Sequence, residues 1–159
     1  MESTTELPQD ARIDDEAPKA VIVGVEGPES LPLLRWAASH AKPGQQVLAM
    51  SVWHFPGLFG VAPQPSTSPM GQHQTARDEL RASLDEVVGS VDDGHGRIRI
   101  EMQEGGHPGH ALVEASKTAE MLVVGAGRQI PGVHNLGATA SFCLHHAHCP
   151  VVVVRGDSR

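Results

Sequence analysis

The stretch from Gly125 to Gly137 is the part of the sequence whose residue types and spacing most directly suggest ligand chemistry. It follows an apolar run, contains Gly127 and Arg128, and leads into a helix-type pattern. Glycines let backbone amides approach a ligand closely, and a helix N-terminus adds unpaired N–H groups and a partial positive charge. The segment therefore predicts a site for an anion such as phosphate. A glycine-rich turn before a helix, without a ligand, is the alternative.

Two other predicted strands also end in residues that suit ligand binding. Glu26 and Gly27 follow the first strand, and Trp53 and His54 close the second. In a parallel sheet, ligands bind beyond the carboxyl ends of the strands, where the strand order reverses. We therefore expect these residues to share one crevice with the glycine segment. Glu26 would be its carboxylate, and His54 a candidate ligand contact.

Histidines and cysteines suggest a metal site only near the end of the last predicted helix. His145, His148 and Cys149 are local candidates on one helical face, but zinc needs four converging ligands. A structural role at the helix end, with imidazoles near the last carbonyl groups, is the preferred interpretation, and we predict no metal site. His107 and His110, spaced three apart at the start of another helix, are expected to face solvent.

The remaining reactive side chains support no catalytic site. Cys143 lies on an apolar helical stripe, which is typical of a small core residue. His134 lies inside the glycine segment, where a structural role is favoured over a phosphate contact. We find no nucleophile elbow and no recognisable Ser-His-Asp set. Glu26 has no visible partner for general-base work, so we predict a protein that is not an enzyme.

Hydrophobic periodicity predicts the elements that would position these residues. β-branched runs typical of buried parallel strands alternate with helical stripes, and the pattern closes on a strand. This alternation predicts one α/β domain, a doubly wound sheet with helices on both faces. The predicted strands are 20–25, 47–53, 97–102 (an edge or half-exposed strand), 121–124 and 151–154, and residues 54–68 form a long loop. The predicted helical stripes are Leu34, Ala37, Ala38 and Ala41; Leu80, Leu84, Val87 and Val88; Ala111, Leu112 and Ala115 within 108–118; and Ala140, Cys143, Leu144 and Ala147.

Composition limits the partners and the compartment. The 159 residues include 12 Lys+Arg against 19 Asp+Glu and only 3% aromatic residues, which argues against a nucleic-acid partner. No run reaches the roughly 18 apolar residues of a membrane span. Two cysteines and no secretory signal predict a cytoplasmic protein. Residues 1–18 are predicted to be a disordered acidic tail, and 19–156 the folded domain.

Several short motifs, taken together in order and spacing, resemble the universal stress protein family. They lie at 21–27, 34–37, 106–108, 122–125 and 144–154, so that the resemblance covers roughly residues 19–155. It implies a five-stranded sheet of order 3-2-1-4-5, of the adenine nucleotide alpha hydrolase-like kind. It also implies a homodimer, commonly through the last strand, and in many members an ATP site where the strand order reverses.

This sequence departs from the phosphate motif of the family's ATP-binding branch, Gly-x2-Gly-x9-Gly-Ser/Thr. Gly125 and Gly137 match the outer glycines, but the loop between them is one residue short. Gly127 matches the middle glycine only across that gap; without it, Arg128 takes the place. A shortened loop is expected to weaken a phosphate site, because several backbone amides must converge on one point.

Three side chains of the family's site also differ. Ala138 replaces the Ser or Thr after the last glycine, for which Thr139 or Ser141 would be a shifted substitute. Glu26 replaces an Asp that faces the ribose and adenine end, and Pro28 replaces the serine that follows it. Losing two hydroxyl contacts is expected to weaken phosphate binding by roughly one to three orders of magnitude.

The sequence therefore predicts a regulatory or stress-associated homodimer that binds ATP or another adenine nucleotide weakly or not at all. A genuine ATP site with slow hydrolysis, using Arg128 and Thr139 as substitutes, is the second hypothesis. A metal-binding module at the last helix is the third. Val52 matches a position that usually contacts adenine through its backbone. The predicted ligand residues are Glu26, Val52, Gly125, Gly127, Arg128, Gly137, Ala138 and Thr139.

Overall fold

Strands and helices alternate along the chain in the computed structural model, which describes residues 18–53, 69–91, 97–127, 132 and 135–156. The elements are β1 (Val21–Gly24), a 3-10 turn (Pro28–Ser30), α1 (Leu31–His40), β2 (Val47–Trp53), α2 (Pro69–Gly89), β3 (Ile98–Glu104), α3 (Pro108–Ser116), β4 (Met121–Gly125), α4 (Ala138–His146) and β5 (Val151–Val154). All strands belong to one parallel sheet of order β3-β2-β1-β4-β5, which confirms the predicted fold class and strand order.

β1 lies at the centre of this sheet because its residues are apolar on both faces. Val21, Ile22 and Val23 expose at most 3% of their surface. Val21 and Val23 pack in one core cluster with Leu34 of α1 and Leu84 of α2. Ile22 points the other way, into a second cluster built with α3 and α4. The alternation of side chains along a strand therefore divides the core into two layers, one on each face.

Several helices and strands begin or end a few residues away from their predicted boundaries. The third strand runs to Glu104, and it is an edge strand with alternating burial, as predicted. α1 ends at His40, so Ala41 of the predicted stripe lies just beyond it, and α3 ends at Ser116 rather than 118. The assignment of Leu144 to the buried stripe of α4 is wrong, since its side chain is 47% exposed. The sheet-facing stripe of α4 is narrow, because Ala140 and Cys143 alone are fully buried there.

A buried amide joins the segments at the amino-terminal edge of the sheet. Gln45, which is 2% exposed, donates from Nε2 to the Lys19 carbonyl (2.6 Å) and to Glu120 Oε2 (2.8 Å). Its Oε1 accepts from the amide of Lys42 (2.9 Å), whose Nζ pairs with the same Glu120 carboxylate. This network fixes the entry to β1 against the loops that precede β2 and β4.

Some predictions concern residues outside the described ranges. The acidic tail lies there apart from Pro18, as does the whole of the predicted loop 54–68. Within the described residues, no helix combines the length and the apolar character that crossing a membrane requires.

Candidate functional site

The strand order reverses between β1 and β4. These strands are neighbours, with Val23 in register with Val123, yet the chain leaves β1 towards β2 and leaves β4 towards β5. Connections that diverge in this way open a crevice beyond the carboxyl ends of the two strands. Glu26 follows β1 at this edge and Gly125 ends β4, so both predicted residues lie at the edge of the sheet where such a crevice forms.

Glu26 projects from a turn that a serine holds in place. Its side chain is exposed, while its backbone N–H donates to the Oγ atom of Ser30 (2.9 Å). Ser30 is 4% exposed, and its own amide donates to the Gly27 carbonyl (2.9 Å). Ser30 was not predicted as part of the site. The available signal was a small hydroxyl residue four positions after the carboxylate, directly before a helix.

Val52 presents its backbone towards the crevice side of β2. The amide of Val47 donates to Arg97 next to β3 (2.9 Å), whereas the carbonyl of Met50 accepts from Val25 after β1 (2.9 Å). Backbone groups alternate between the two neighbours of a strand, so Val52 faces the same side as Met50. Because β1 ends before this point, the half-buried Val52 lies beyond the paired part of that strand.

The two ends of the glycine segment lie against each other. Gly127 has φ +88°, and a Cβ atom built there would lie 2.7 Å from the Gly137 Cα atom. The Gly137 amide donates to the carbonyl of Ala126 (2.8 Å), and the Ala126 amide donates to Val154 on β5 (3.0 Å). Gly125 is less constrained, since a Cβ atom there would make only ordinary contacts, with Leu33 at 3.7 Å. Gly127 and Gly137 therefore form the closure of the segment.

The first turn of α4 supplies the free donors of the site. Gly137 is the N-cap residue without a side-chain cap, and the first helical hydrogen bond runs from Ser141 N–H to the Gly137 carbonyl (3.0 Å). The amides of Ala138, Thr139 and Ala140 have no partner within the described part of the chain. Ala138 is exposed, and Thr139 is half-buried, with the first hydroxyl of this helix. These three amides and one hydroxyl are suited to an anion.

Arg128, His54 and His134, which were predicted near the crevice, lie outside the described residues. The local metal candidates do not form a centre: His145 and His148 are exposed, and no three potential ligands gather anywhere in the described ranges. Burial raises the pKa of the Cys149 thiol. The pKa of the Cys143 thiol is raised by burial and by the nearby Cys149.

A cluster of imidazoles around Phe142 was not predicted from the sequence. The rings of His110 and His146 lie 4.6 Å and 4.4 Å from the Phe142 ring, and that of His107 lies 5.5 Å away. His107 Nδ1 also caps α3 by accepting from the Gly109 amide (3.1 Å). His107 and His110 thus contact one another and α4, rather than only solvent. Sequence spacing gives no sign of the contacts from His107 and His110 to Phe142, because they join two helices, whereas Phe142 and His146 lie four residues apart on one helix.

Comparison with known proteins gives a consistent result. A sequence profile described as the Universal stress protein family matches residues 18–155. A universal stress protein of Mycolicibacterium smegmatis is 32% identical over 151 residues, which cover 87% of this chain and 49% of that protein. The chain thus spans about half the length of the curated relatives that it matches.

Solved structures share the fold. A universal stress protein from Archaeoglobus fulgidus in complex with dAMP has a TM-score of 0.57 at 20% identity, over 86% of this chain and 98% of that chain. A universal stress protein in complex with cAMP has a TM-score of 0.52 at 21% identity, over 89% and 99%. At these identities the likeness extends to the doubly wound sheet described above.

Proposed function

Because the chain belongs to the universal stress protein family, we propose that its crevice between β1 and β4 binds an adenine nucleotide weakly and catalyses no reaction. The observation that carries this proposal is the set of amides at Ala138, Thr139 and Ala140, which have no partner among the described residues and lie next to a closed glycine segment. Solved relatives are described as complexes with dAMP and cAMP, which are both adenine nucleotides.

The phosphate end of the nucleotide would lie at the first turn of α4. Amide N–H groups and the positive end of a helix favour an anion there. The Gly137 amide contributes nothing, because it already donates to Ala126. Ala138 offers no hydroxyl, so the side chain of Thr139, which comes next in the helix, would donate a hydrogen bond in its place. Each missing hydrogen bond removes about 0.5–1.5 kcal/mol of binding free energy, which supports a weak site.

The nucleoside end would lie near Glu26 and Val52. The carboxylate of Glu26 can accept hydrogen bonds from ribose hydroxyls, and the Ser30 contact fixes the backbone from which it projects. The backbone of Val52 faces the same crevice and can contact the adenine base. Catalysis would also require a base and a bound water in a defined pose. Glu26, to which we assign the nucleoside end, has no hydrogen-bonded side-chain partner among the described residues.

Genuine ATP binding with slow hydrolysis is a second candidate function. The half-buried hydroxyl of Thr139 favours it, since it lies one residue after the position at which the family carries Ser or Thr. Binding of ATP with a micromolar or lower Kd, together with release of phosphate above the buffer rate, would establish this second function in place of the first.

Calorimetric titration of the full chain with ATP, AMP and cAMP tests the proposal. We expect dissociation constants above about 100 μM, because the loss of two hydroxyl contacts lowers the affinity by roughly one to three orders of magnitude. Thr139→Val should weaken any measurable affinity further, whereas Thr118→Val, an exposed threonine after α3, should not. Affinities that are unchanged by Thr139→Val would contradict the proposed phosphate position.

We also infer a homodimer formed through the β5 edge. β5 pairs with β4 on one side, and its valines Val151–Val154 are only half-buried. Leu144, 47% exposed, lies on α4, which packs on β5. Sedimentation at several concentrations should show a dimer that Leu144→Glu weakens and that Ala82→Glu, on the exposed face of α2, leaves intact. A monomer at all concentrations would refute this inference.

We infer a regulatory role in the cytoplasm for this dimer. The free thiols of Cys143 and Cys149 suit a reducing compartment. A non-catalytic protein with a weak nucleotide site would act by changing a partner's behaviour as nucleotide levels change. Fractionation of cells that express the full protein tests the location.

A further inference from the structure

The outer edge of β3 is a row of backbone groups without partners. β3 is the last strand on its side of the sheet. The carbonyl of Arg97, directly before β3, accepts from the Val47 amide of β2 (2.9 Å). Backbone groups alternate between the two sides of a strand, so those of Ile98, Ile100 and Met102 point away from β2. Within the described part of the chain these outward groups make no hydrogen bond.

The two faces of β3 differ in character. Arg99 and Glu101 lie on one face, where both are exposed, and among the described residues neither forms an ion pair or a hydrogen bond. Helix α3 packs over β1, β2 and β4, which leaves these two side chains open to solvent. On the other face Ile98 belongs to the core cluster, and Ile100 and Met102 are half-buried against it. A charged face and an apolar face therefore both reach the free edge.

We propose that the β3 edge binds a second copy of this chain by antiparallel strand pairing. A two-fold axis perpendicular to the sheet would place Ile100 opposite the same residue of the second copy. Arg99 then lies opposite Glu101 of the second copy, and Glu101 lies opposite Arg99, which gives two ion pairs across the junction. On the apolar face Ile98 lies opposite Met102. A strand whose charges match in reverse order is complementary to itself, which favours a second copy over an unrelated peptide.

Charge selects this register over its neighbours. The apolar faces of the two copies stay together only when the pairing shifts by an even number of residues. A shift of two places Arg99 opposite its own copy in one direction and Glu101 opposite its own copy in the other, so that like charges meet. In the proposed register both residues occupy non-hydrogen-bonded positions, where Cα atoms are about 4.5 Å apart and side chains are closest. The outward groups of Ile98, Ile100 and Met102 would form about six hydrogen bonds, two in each hydrogen-bonded pair.

Sedimentation of the full chain tests this proposal in a Leu144→Glu background, which removes the β5 contact inferred above and leaves β3 as the available edge. We expect an equilibrium between monomer and dimer. Arg99→Glu and Glu101→Arg should each raise the dimer dissociation constant about tenfold or more, because each replaces two ion pairs with like charges. Arg35→Glu, on the exposed side of α1, changes the net charge as Arg99→Glu does. It should leave the constant within about twofold, since distant exposed charges are screened.

An equimolar mixture of the two charge variants should dimerise although neither does so alone at the same concentration. In a mixed pair the two carboxylates of one copy oppose the two guanidinium groups of the other, so both ion pairs form again. Recovery in the mixture also establishes that each variant is folded. A mixture that remains monomeric would contradict the proposed register.

Amide hydrogen exchange identifies the surface that pairs. The amides of Ile98, Ile100 and Met102 should exchange more slowly as protein concentration rises, whereas those of Arg99 and Glu101, which face β2, should not change. The proposal is wrong if the Leu144→Glu protein is monomeric up to about 1 mM, or if the three outward amides stay unprotected in its dimer. Protection at every concentration would mean that another segment of the same chain covers the edge. None of these outcomes depends on nucleotide binding at the crevice.

Discussion

The backbones of Gly127 and Gly137 are in contact: a Cβ atom built at Gly127 would lie 2.7 Å from the Gly137 Cα atom and 2.9 Å from its amide nitrogen. Gly127 also has φ +88°, in the left-handed region that favours glycine. Conformation and space are therefore two separate reasons for glycine here. The contact joins the end of β4 to the start of α4, so it determines where the free amides of α4 lie relative to β1.

Replacing Gly127 with alanine should lower the free energy of unfolding by about 2–5 kcal/mol. About 1–2 kcal/mol of this comes from the left-handed backbone, and the remainder from the steric overlap. Gly44→Ala is the matched control, because Gly44 has φ +77° but nothing within 4 Å of a built Cβ atom. Urea unfolding followed by circular dichroism measures both variants. Equal losses of unfolding free energy in the two variants would mean that steric overlap between residue 127 and Gly137 adds no cost.

Restoring a hydroxyl group at the start of α4 should strengthen nucleotide binding. Ala138→Ser places a donor directly after Gly137, and one hydrogen bond of about 0.5–1.5 kcal/mol corresponds to roughly a twofold to tenfold lower Kd for ATP. Ala82→Ser, on the exposed face of α2, should change nothing. Isothermal titration calorimetry provides the comparison. An Ala138→Ser variant with unaltered affinity would place the phosphates elsewhere.

The close packing of α3 on α4 predicts an unusual response to Gly109→Ala. Alanine normally stabilises a helix relative to glycine by about 1 kcal/mol. Here a Cβ atom would lie 2.7 Å from Cδ1 of Phe142, so the variant should lose about 1–3 kcal/mol instead. Phe142→Leu should reduce that loss in the double variant. Chemical denaturation of the four proteins gives the coupling energy, and additive effects would exclude direct contact.

Acid should weaken the network at the amino-terminal edge. The hydrogen bond from Lys42 lowers the pKa of the Glu120 carboxyl in the folded state. A carboxyl with a lowered folded-state pKa stabilises the fold above its unfolded-state pKa, and this contribution is lost as the pH falls through the folded-state pKa. The difference in urea midpoint between wild type and Glu120→Gln should therefore be present near pH 7 and disappear in acid.

The matched variant for this experiment is Glu79→Gln, which removes an exposed carboxylate from α2. It should change the urea midpoint much less than Glu120→Gln at neutral pH. A Glu120→Gln difference that persisted unchanged below the ordinary carboxyl range of about pH 4 would contradict the assigned cause.

The fold could be predicted from local patterns because its signals are local. The runs at 21–24 and 121–125 are apolar on both faces, which happens mainly in the centre of a parallel sheet. Alternation of strands with helices and right-handed crossovers then leaves few topologies. The same reasoning correctly brought Glu26 and Gly125 to one edge of the sheet.

Other features depend on contacts between distant segments, which local patterns do not encode. The hydrogen bond from Gly137 to Ala126 removes an amide that the motif would have assigned to a phosphate. Leu144 was expected in the core because it belongs to a helical stripe with Ala140, Cys143 and Ala147, but only a narrow part of that stripe is buried against the sheet. The contacts of Phe142 with His107 and His110 likewise require the docked positions of α3 and α4.

Ala126, Gly127 and Gly137 close the glycine segment. The positions of these end residues therefore do not depend on how many residues lie between them, at 128–136. Because the two ends are hydrogen-bonded to each other, they stay in place when the segment between them gains or loses a residue. The accompanying change in chain entropy contributes less than about 0.2 kcal/mol to the free energy of folding. A deletion in that segment is therefore nearly neutral for the stability of the fold during evolution. Relatives with longer or shorter segments can be aligned on these end residues, without assuming that their phosphate-facing amides have shifted.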